Sequence, residues 1–164
     1  MRAALANFYR DNADLRRRIE SAPWAGILPA LEKDFTDPHE LAPKSLEEAV
    51  EQIRMVLDMV GALAAEEVAP HAAEVDRVGA RLENGRVVYP EPLRRAFRLL
   101  SGSGLMGFTL PREFGGMNLG VSAYTAAVEM IARAASISSA LSKSIVRTGA
   151  KWSIVRPNCC RSAA

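Results

Sequence analysis

The densest concentration of residues able to do chemistry is Gly-Ser-Gly-Leu-Met-Gly at 102–107, within the longer run GLMGFTLPREFGGMNLGVSAY at 104–124. A glycine-rich turn opening onto a helix can cradle a phosphate, but that fingerprint follows a strand inside a βαβ unit. Here a helical pattern precedes the glycines and Thr109-Leu110-Pro111 follows them, so a phosphate loop is not expected. His39 and His71 are the two histidines of the chain, far apart and without a cysteine nearby. His71 follows Pro70 at an expected helix end, where a histidine suits the dipole and the free carbonyls, and structural or surface roles are expected for both. Cys159 and Cys160 are adjacent, so they cannot staple distant segments, and two thiols alone make no zinc site. No Ser/His/Asp set or metal-ligand spacing stands out. The residues therefore offer no self-contained catalytic group and no metal site.

These groups sit in a chain of 164 residues, the size of one domain with an appendage. Apolar residues make up 49% and charged residues 24%, which suits a globular core. The net charge of +2 makes no case for nucleic acid, and the bases of the C-terminal segment lack interleaved aromatics apart from Trp152. No run approaches the roughly eighteen apolar residues of a membrane span, and the N-terminal stretch does not read as a secretory signal. A reducing, cytoplasmic setting is expected. Residues 45–69 hold six acids and one base, whereas residues 134–164 hold five bases and no acid.

Three long helices are expected to position the glycine run. Ser45-Leu46-Glu47-Glu48 has the capping-box pattern, with Ser45 taking the third helical amide and Glu48 reaching back. Leu46, Val50, Ile53, Leu57, Val60 and Ala64 then form one apolar stripe, and Pro70 is expected to stop that helix near Ala69. Pro90 and Pro92 open a second helix with Leu93, Ala96, Phe97 and Leu100 facing inward, ended by Ser-Gly-Ser-Gly at 101–104. Tyr124, Ala127, Val128 and Ile131 share a face of the third, which also carries the i,i+4 pair Glu129/Arg133. Between the first two, Asn84-Gly85 flanked by Leu82 and Val87–Tyr89 predicts a small hairpin or looped excursion near residues 80–89. Upstream, Asp11 or Asn12 can cap a turn through Leu15 and Ile19, and Trp24, Ile27, Leu28, Leu31 and Phe35 mark a further helix face that Pro29 would kink into two pieces. The expected fold class is all-α, a helical bundle organised as a helical extension at 1–44, a helical domain at 45–134 and a divergent basic tail at 135–164.

The run from Gly104 to Arg133 resembles the N-terminal helical domain of the acyl-CoA dehydrogenase family. The matching positions are Gly104, Gly107, Pro111, Glu113, Phe114, Gly115, Gly116, Gly120, Glu129, Ala132 and Arg133. The segment EEVAPHAAEVDRVGARLENGRVVYPEPLRRAFRLL is similar to the same family, and NFYRDNADLR is similar to an N-terminal extension of its larger members. The resemblance implies FAD-dependent α,β-dehydrogenation of an acyl-CoA thioester, by a carboxylate base and a flavin hydride acceptor held in one cleft by several domains. It also implies an acyl-CoA substrate and a homo-oligomer for the intact family. This chain matches the first domain alone, so no catalytic base carries over, cofactor-binding residues are not assignable, and FAD is not expected to bind this chain by itself.

By register with the family, Ser139, Leu141 and Ser142 fall near positions that line the acyl pocket. The surrounding tail departs from the family pattern. Asn158–Ser162 can be encoded by synonymous codons that, read from a final G of the Pro157 codon, spell Glu-Leu-Leu-Gln-Glu, which is similar to the family's own segment. The tail is therefore expected to be out of frame and the chain to be an inactive N-terminal fragment. The alternative expectation is a non-catalytic helical interaction module pairing with a separate flavoprotein subunit.

Overall fold

A computed structural model of the chain describes residues 7–135. Six α-helices and one hairpin follow in the order α1 (Ala13–Glu20), α2 (Trp24–Leu31), α3 (Leu46–Leu63), α4 (Ala72–Val78), β1 (Arg81–Glu83), β2 (Arg86–Val88), α5 (Glu91–Gly102) and α6 (Val121–Ala134). The all-α class holds, with helices packed on helices and the hairpin set apart from the core.

The central element is α3. Ser45 caps it, its hydroxyl accepting from the Glu48 amide at 3.2 Å, as the capping-box pattern predicts. Glu48 reaches back one residue further than expected, accepting from the Lys44 amide at 2.7 Å instead of from Ser45. The buried stripe starts at Ala49 and runs through Ile53, Leu57, Val60 and Ala64, while Leu46 and Val50 are only half-buried. Pro70 does not end the helical path, which corrects the sequence expectation. A π turn at Ala64–Val68 and a short 3-10 turn at Ala69–His71 carry the chain directly into α4. The physical reason is that proline lacks the N–H of a regular helix, and the change of hydrogen-bond span from five to three residues removes the need for it. The stripe continues past Pro70 as Val68, Ala72 and Val75.

The N-terminal extension lies across α3. Asn12 caps α1, accepting from the Leu15 amide at 3.2 Å, and Leu15 and Ile19 are buried. Ahead of it, the Phe8 amide donates to the Gly61 carbonyl at 3.1 Å. The Asn7 side-chain amide donates to the Asp58 carbonyl at 3.1 Å, and Arg10 clasps the Asp58 carboxylate. Gly61 is needed at this crossing, because a methyl group there would overlap Asn7 Oδ1 and stand 2.6 Å from the Tyr9 nitrogen. The stretch 24–35 does divide in two, but at Glu32 instead of at Pro29: α2 runs through Pro29 to Leu31, losing only the one amide the proline lacks, and a 3-10 turn follows at Lys33–Phe35. Trp24 and Leu28 are buried, the Trp24 indole donating to the Ile19 carbonyl at 2.7 Å, whereas Ile27 faces outward.

Candidate functional site

The glycine run forms a corner between α5 and α6. Gly104 takes a left-handed conformation (φ 75°) that ends α5, and a single 3-10 turn spans Leu105–Gly107. Pro111 then holds the chain extended (φ −56°, ψ 148°), and a second 3-10 turn at Arg112–Phe114 closes on Gly115, again left-handed at φ 79°. The returning strand clasps the outgoing one. The Met117 amide donates to Gly107 O at 3.0 Å, Asn118 to Leu110 O at 2.9 Å and Leu119 to Phe108 O at 2.9 Å. Gly116 permits this clasp, since any side chain there would drive into the Leu110 carbonyl. Phe108 and Leu119 are buried, and Phe108 meets Tyr124 of α6 edge-on at 6.0 Å between ring centres.

One ion pair is buried at this corner. Both guanidinium ends of Arg112 donate to the Glu32 carboxylate, at 2.5 and 3.1 Å, and the two side chains are 4% and 3% exposed. Asn118 adds its side-chain amide to the Leu31 carbonyl at 3.2 Å. Glu32 is followed by Lys33, Asp34 and Phe35, all at positive φ (51°, 52° and 61°), an unusual run for residues other than glycine. The N-terminal extension is thus fastened to the corner at one end and to α3 at the other. Nearby, the Asp37 carboxyl is held below the usual carboxylate range, mainly by the His39 amide that donates to it at 3.0 Å and further by Lys33.

The histidines occupy structural positions. His39 accepts the Leu41 amide at 3.2 Å within a turn, and His71 stands 4.0 Å from Glu74 on the surface. Among the described residues no three His, Cys, Asp or Glu side chains gather as metal ligands. Two clefts open between helices. The larger, about 330 Å³, is lined by apolar groups such as Val60, Leu100, Leu105, Phe108 and Ile131 with Tyr124. The other, about 250 Å³, lies between α4 and α5 and is lined by Val68, Ala72, Val75, Leu93 and Ala96. A flavin dinucleotide needs several donors for its pyrophosphate and ring edges; the larger cleft is apolar apart from Tyr124, and the smaller adds only Glu67 and His71 to its apolar lining. The described residues do not fit that group.

Ser139, Leu141 and Ser142, the expected pocket-lining residues, lie outside the described residues. Gly104, Gly107, Pro111, Gly115 and Gly116 are brought together as the corner, and Glu129 and Arg133 face each other at 3.9 Å on α6. Glu129 has a closer partner, Arg18 of α1, which donates to both of its oxygens at 3.0 Å. Sequence reading missed Glu32 and Arg112, because the two lie 80 residues apart and no local spacing links them. The charge of Arg112, beside Glu113 in a largely apolar and glycine-rich corner, is the one signal that could have drawn notice.

The described residues are thus helices fastened around a glycine corner. Among known protein families, the acyl-CoA dehydrogenase N-terminal domain matches residues 50–156. The chain belongs to the acyl-CoA dehydrogenase family. It is similar to the 3-methylmercaptopropionyl-CoA dehydrogenase of Ruegeria pomeroyi, 34% identical over 111 residues that cover 67% of this chain and 19% of that protein. It is also similar to a probable acyl-CoA dehydrogenase of Bacillus subtilis, 33% identical over 53% of this chain and 20% of the relative. The mitochondrial isovaleryl-CoA dehydrogenase of Solanum tuberosum is 32% identical over 47% of this chain and 16% of its own length. The matched stretches thus span about a fifth or less of these relatives. The domain match crosses the boundary drawn at residue 134 and runs to residue 156. No solved structure matches the chain. No helix among the described residues is long and apolar enough to cross a membrane.

Proposed function

We propose that this chain is the N-terminal helical domain of an FAD-dependent acyl-CoA dehydrogenase and is catalytically silent on its own. The observation that carries the reading is the domain match over residues 50–156, set beside relatives of which the matched stretch spans only 16–20%. In this reading the corner at Gly104–Gly120 aims α6, and the residues that follow it, at the acyl pocket of a complete enzyme. Ser139, Leu141 and Ser142 would then stand beside the acyl chain of a CoA thioester. The flavin belongs with the family's other domains, consistent with the apolar character of both clefts. The names of two relatives make 3-methylmercaptopropionyl-CoA and isovaleryl-CoA the first thioesters to test.

The test is to purify the full 164-residue chain, record its flavin absorbance after incubation with FAD, and assay dehydrogenation of those two thioesters with an artificial electron acceptor. Neither flavin retention nor turnover is expected. Stoichiometric FAD with acceptor reduction would overturn the silent-domain reading. The acid-free segment 135–164 we read as translated out of frame by Asn158 at the latest. Sequencing the gene across codons 130–165 decides this: a downstream frame encoding a β-domain is expected, and its absence refutes the frame change.

A further inference from the structure

The hairpin β1–β2 stands off the helical body. Every residue from Ala80 to Tyr89 is exposed, including Leu82 at 74% and Val87 at 57%. Its turn is well formed, with Asn84 at φ 50° and Gly85 at φ 75°, the pair of positive angles that a two-residue turn requires. A lone two-stranded sheet is marginal in water, and each of its outer edges presents unpaired main-chain groups. The register is Arg81 opposite Val88, Leu82 opposite Val87 and Glu83 opposite Arg86. In such a hairpin the residues flanking the turn exchange both main-chain bonds within it. The N–H and C=O of Leu82, between two such pairs, therefore point outward from β1.

We propose that the outer edge of β1 is a self-association surface whose partner is β1 of a second copy of this chain. The argument is charge complementarity about a two-fold axis. Antiparallel pairing centred on Leu82 sets Arg81 of each copy opposite Glu83 of the other, giving two opposite-charge pairs for each dimer. The two Leu82 residues meet as the central pair and exchange both outward main-chain bonds. On the same face Val87, Leu82 and their two counterparts form one apolar row across four strands. On the other face each Glu83 lies between its own Arg86 and the second copy's Arg81. Competing arrangements lose these contacts. Parallel pairing in the same register opposes Arg81 to Arg81 and Glu83 to Glu83, and β2 pairing about Val87 sets Arg86 against Val88. Among the described residues neither Arg81 nor Glu83 has a salt-bridge partner in the single chain. An edge of this length buries less than a stable dimer needs, so the association is weak and concentration-dependent.

Sedimentation velocity on the full chain over a concentration series tests this, and the wild type is expected to shift from monomer toward dimer. Arg81→Glu sets a second carboxylate opposite Glu83 in every homodimer, and Glu83→Arg sets a second guanidinium opposite Arg81 in the same way. Each variant alone is expected to lose about tenfold or more in association constant. An equimolar mixture of the two variants restores both opposite-charge pairs and is expected to dimerise again as a heterodimer. This mixing result also separates edge pairing from a variant that has merely lost its hairpin, which no partner could rescue. A wild type that stays monomeric throughout overturns the proposal. So does an Arg81→Glu variant that dimerises as well as the wild type, or a mixture that remains monomeric.

Discussion

The buried pair Arg112–Glu32 is the residue-scale feature with most at stake. Two ions taken from water recover that cost only when their geometry is close and both oxygens are bonded, as they are here at 2.5 and 3.1 Å. Removing one partner strands the other charge where it is almost fully covered. Glu32→Ala is therefore expected to destabilise the chain by about 3–5 kcal/mol. Replacing both, as Glu32→Leu with Arg112→Met, is expected to cost far less or to stabilise, because no unpaired charge then remains. Urea unfolding of the two variants beside the wild type measures the difference; equal losses would refute the account. Asp37 shows the opposite, inexpensive kind of electrostatics. Its carboxyl is lowered by an amide donor and a lysine, so its contribution exists above the ordinary carboxylate range and disappears as pH falls through the lowered value.

At the scale of elements, crossing points decide more than propensities do. In an exposed helix, Gly→Ala gains roughly 0.5–1 kcal/mol. Gly61→Ala should do the reverse, because the added methyl group meets Asn7 and the Tyr9 backbone. A net loss of about 1–3 kcal/mol is expected, the range for forcing volume into a packed contact. Hydrogen exchange of the Phe8 amide, now bonded to Gly61 O, should accelerate in the variant while amides of α6 change little. Elements whose cause is local were legible in the sequence: the Ser45 cap, the Asn84-Gly85 turn, the proline-led start of α5 and the stripe through Ile53, Leu57 and Val60. The corner was legible as a corner, because glycine and proline restrict the backbone wherever they stand. What could not be read depended on distant partners. Pro70 reads as a stop until the π turn ahead of it is seen, and no local signal links Gly61 to Asn7. No local spacing links Glu32 to Arg112 either.

For the molecule as a whole, the described residues form one helical body that leaves apolar side chains outside. Around the corner, Phe114 is 66% exposed, Val121 70% and Leu110 42%. Open-ended association through such surface is expected at high concentration, beyond any defined dimer. Phe114→Lys with Val121→Lys should lower light scattering on warming with little change in melting temperature, since neither side chain contributes to the core. A fall in melting temperature with unchanged scattering would count against this. The same body also has a single rotational setting, made by the π turn in the middle of its longest helical path. From Val60 the buried positions advance by four residues three times, to Ala64, Val68 and Ala72. On a regular helix each such step drifts about 40° around the axis. Omitting one residue between Ala64 and Val68 would turn the spacing into alternating fours and threes, a stripe that needs no wide turn. The path is in effect an ordinary helix carrying one inserted residue. That insertion keeps the half bearing the N-terminal extension in phase with the half that packs on α5, and it spares Pro70 from standing inside a regular α-helix. A one-residue deletion there would straighten the helix only if the proline were replaced with it, so the two features must be gained or lost together.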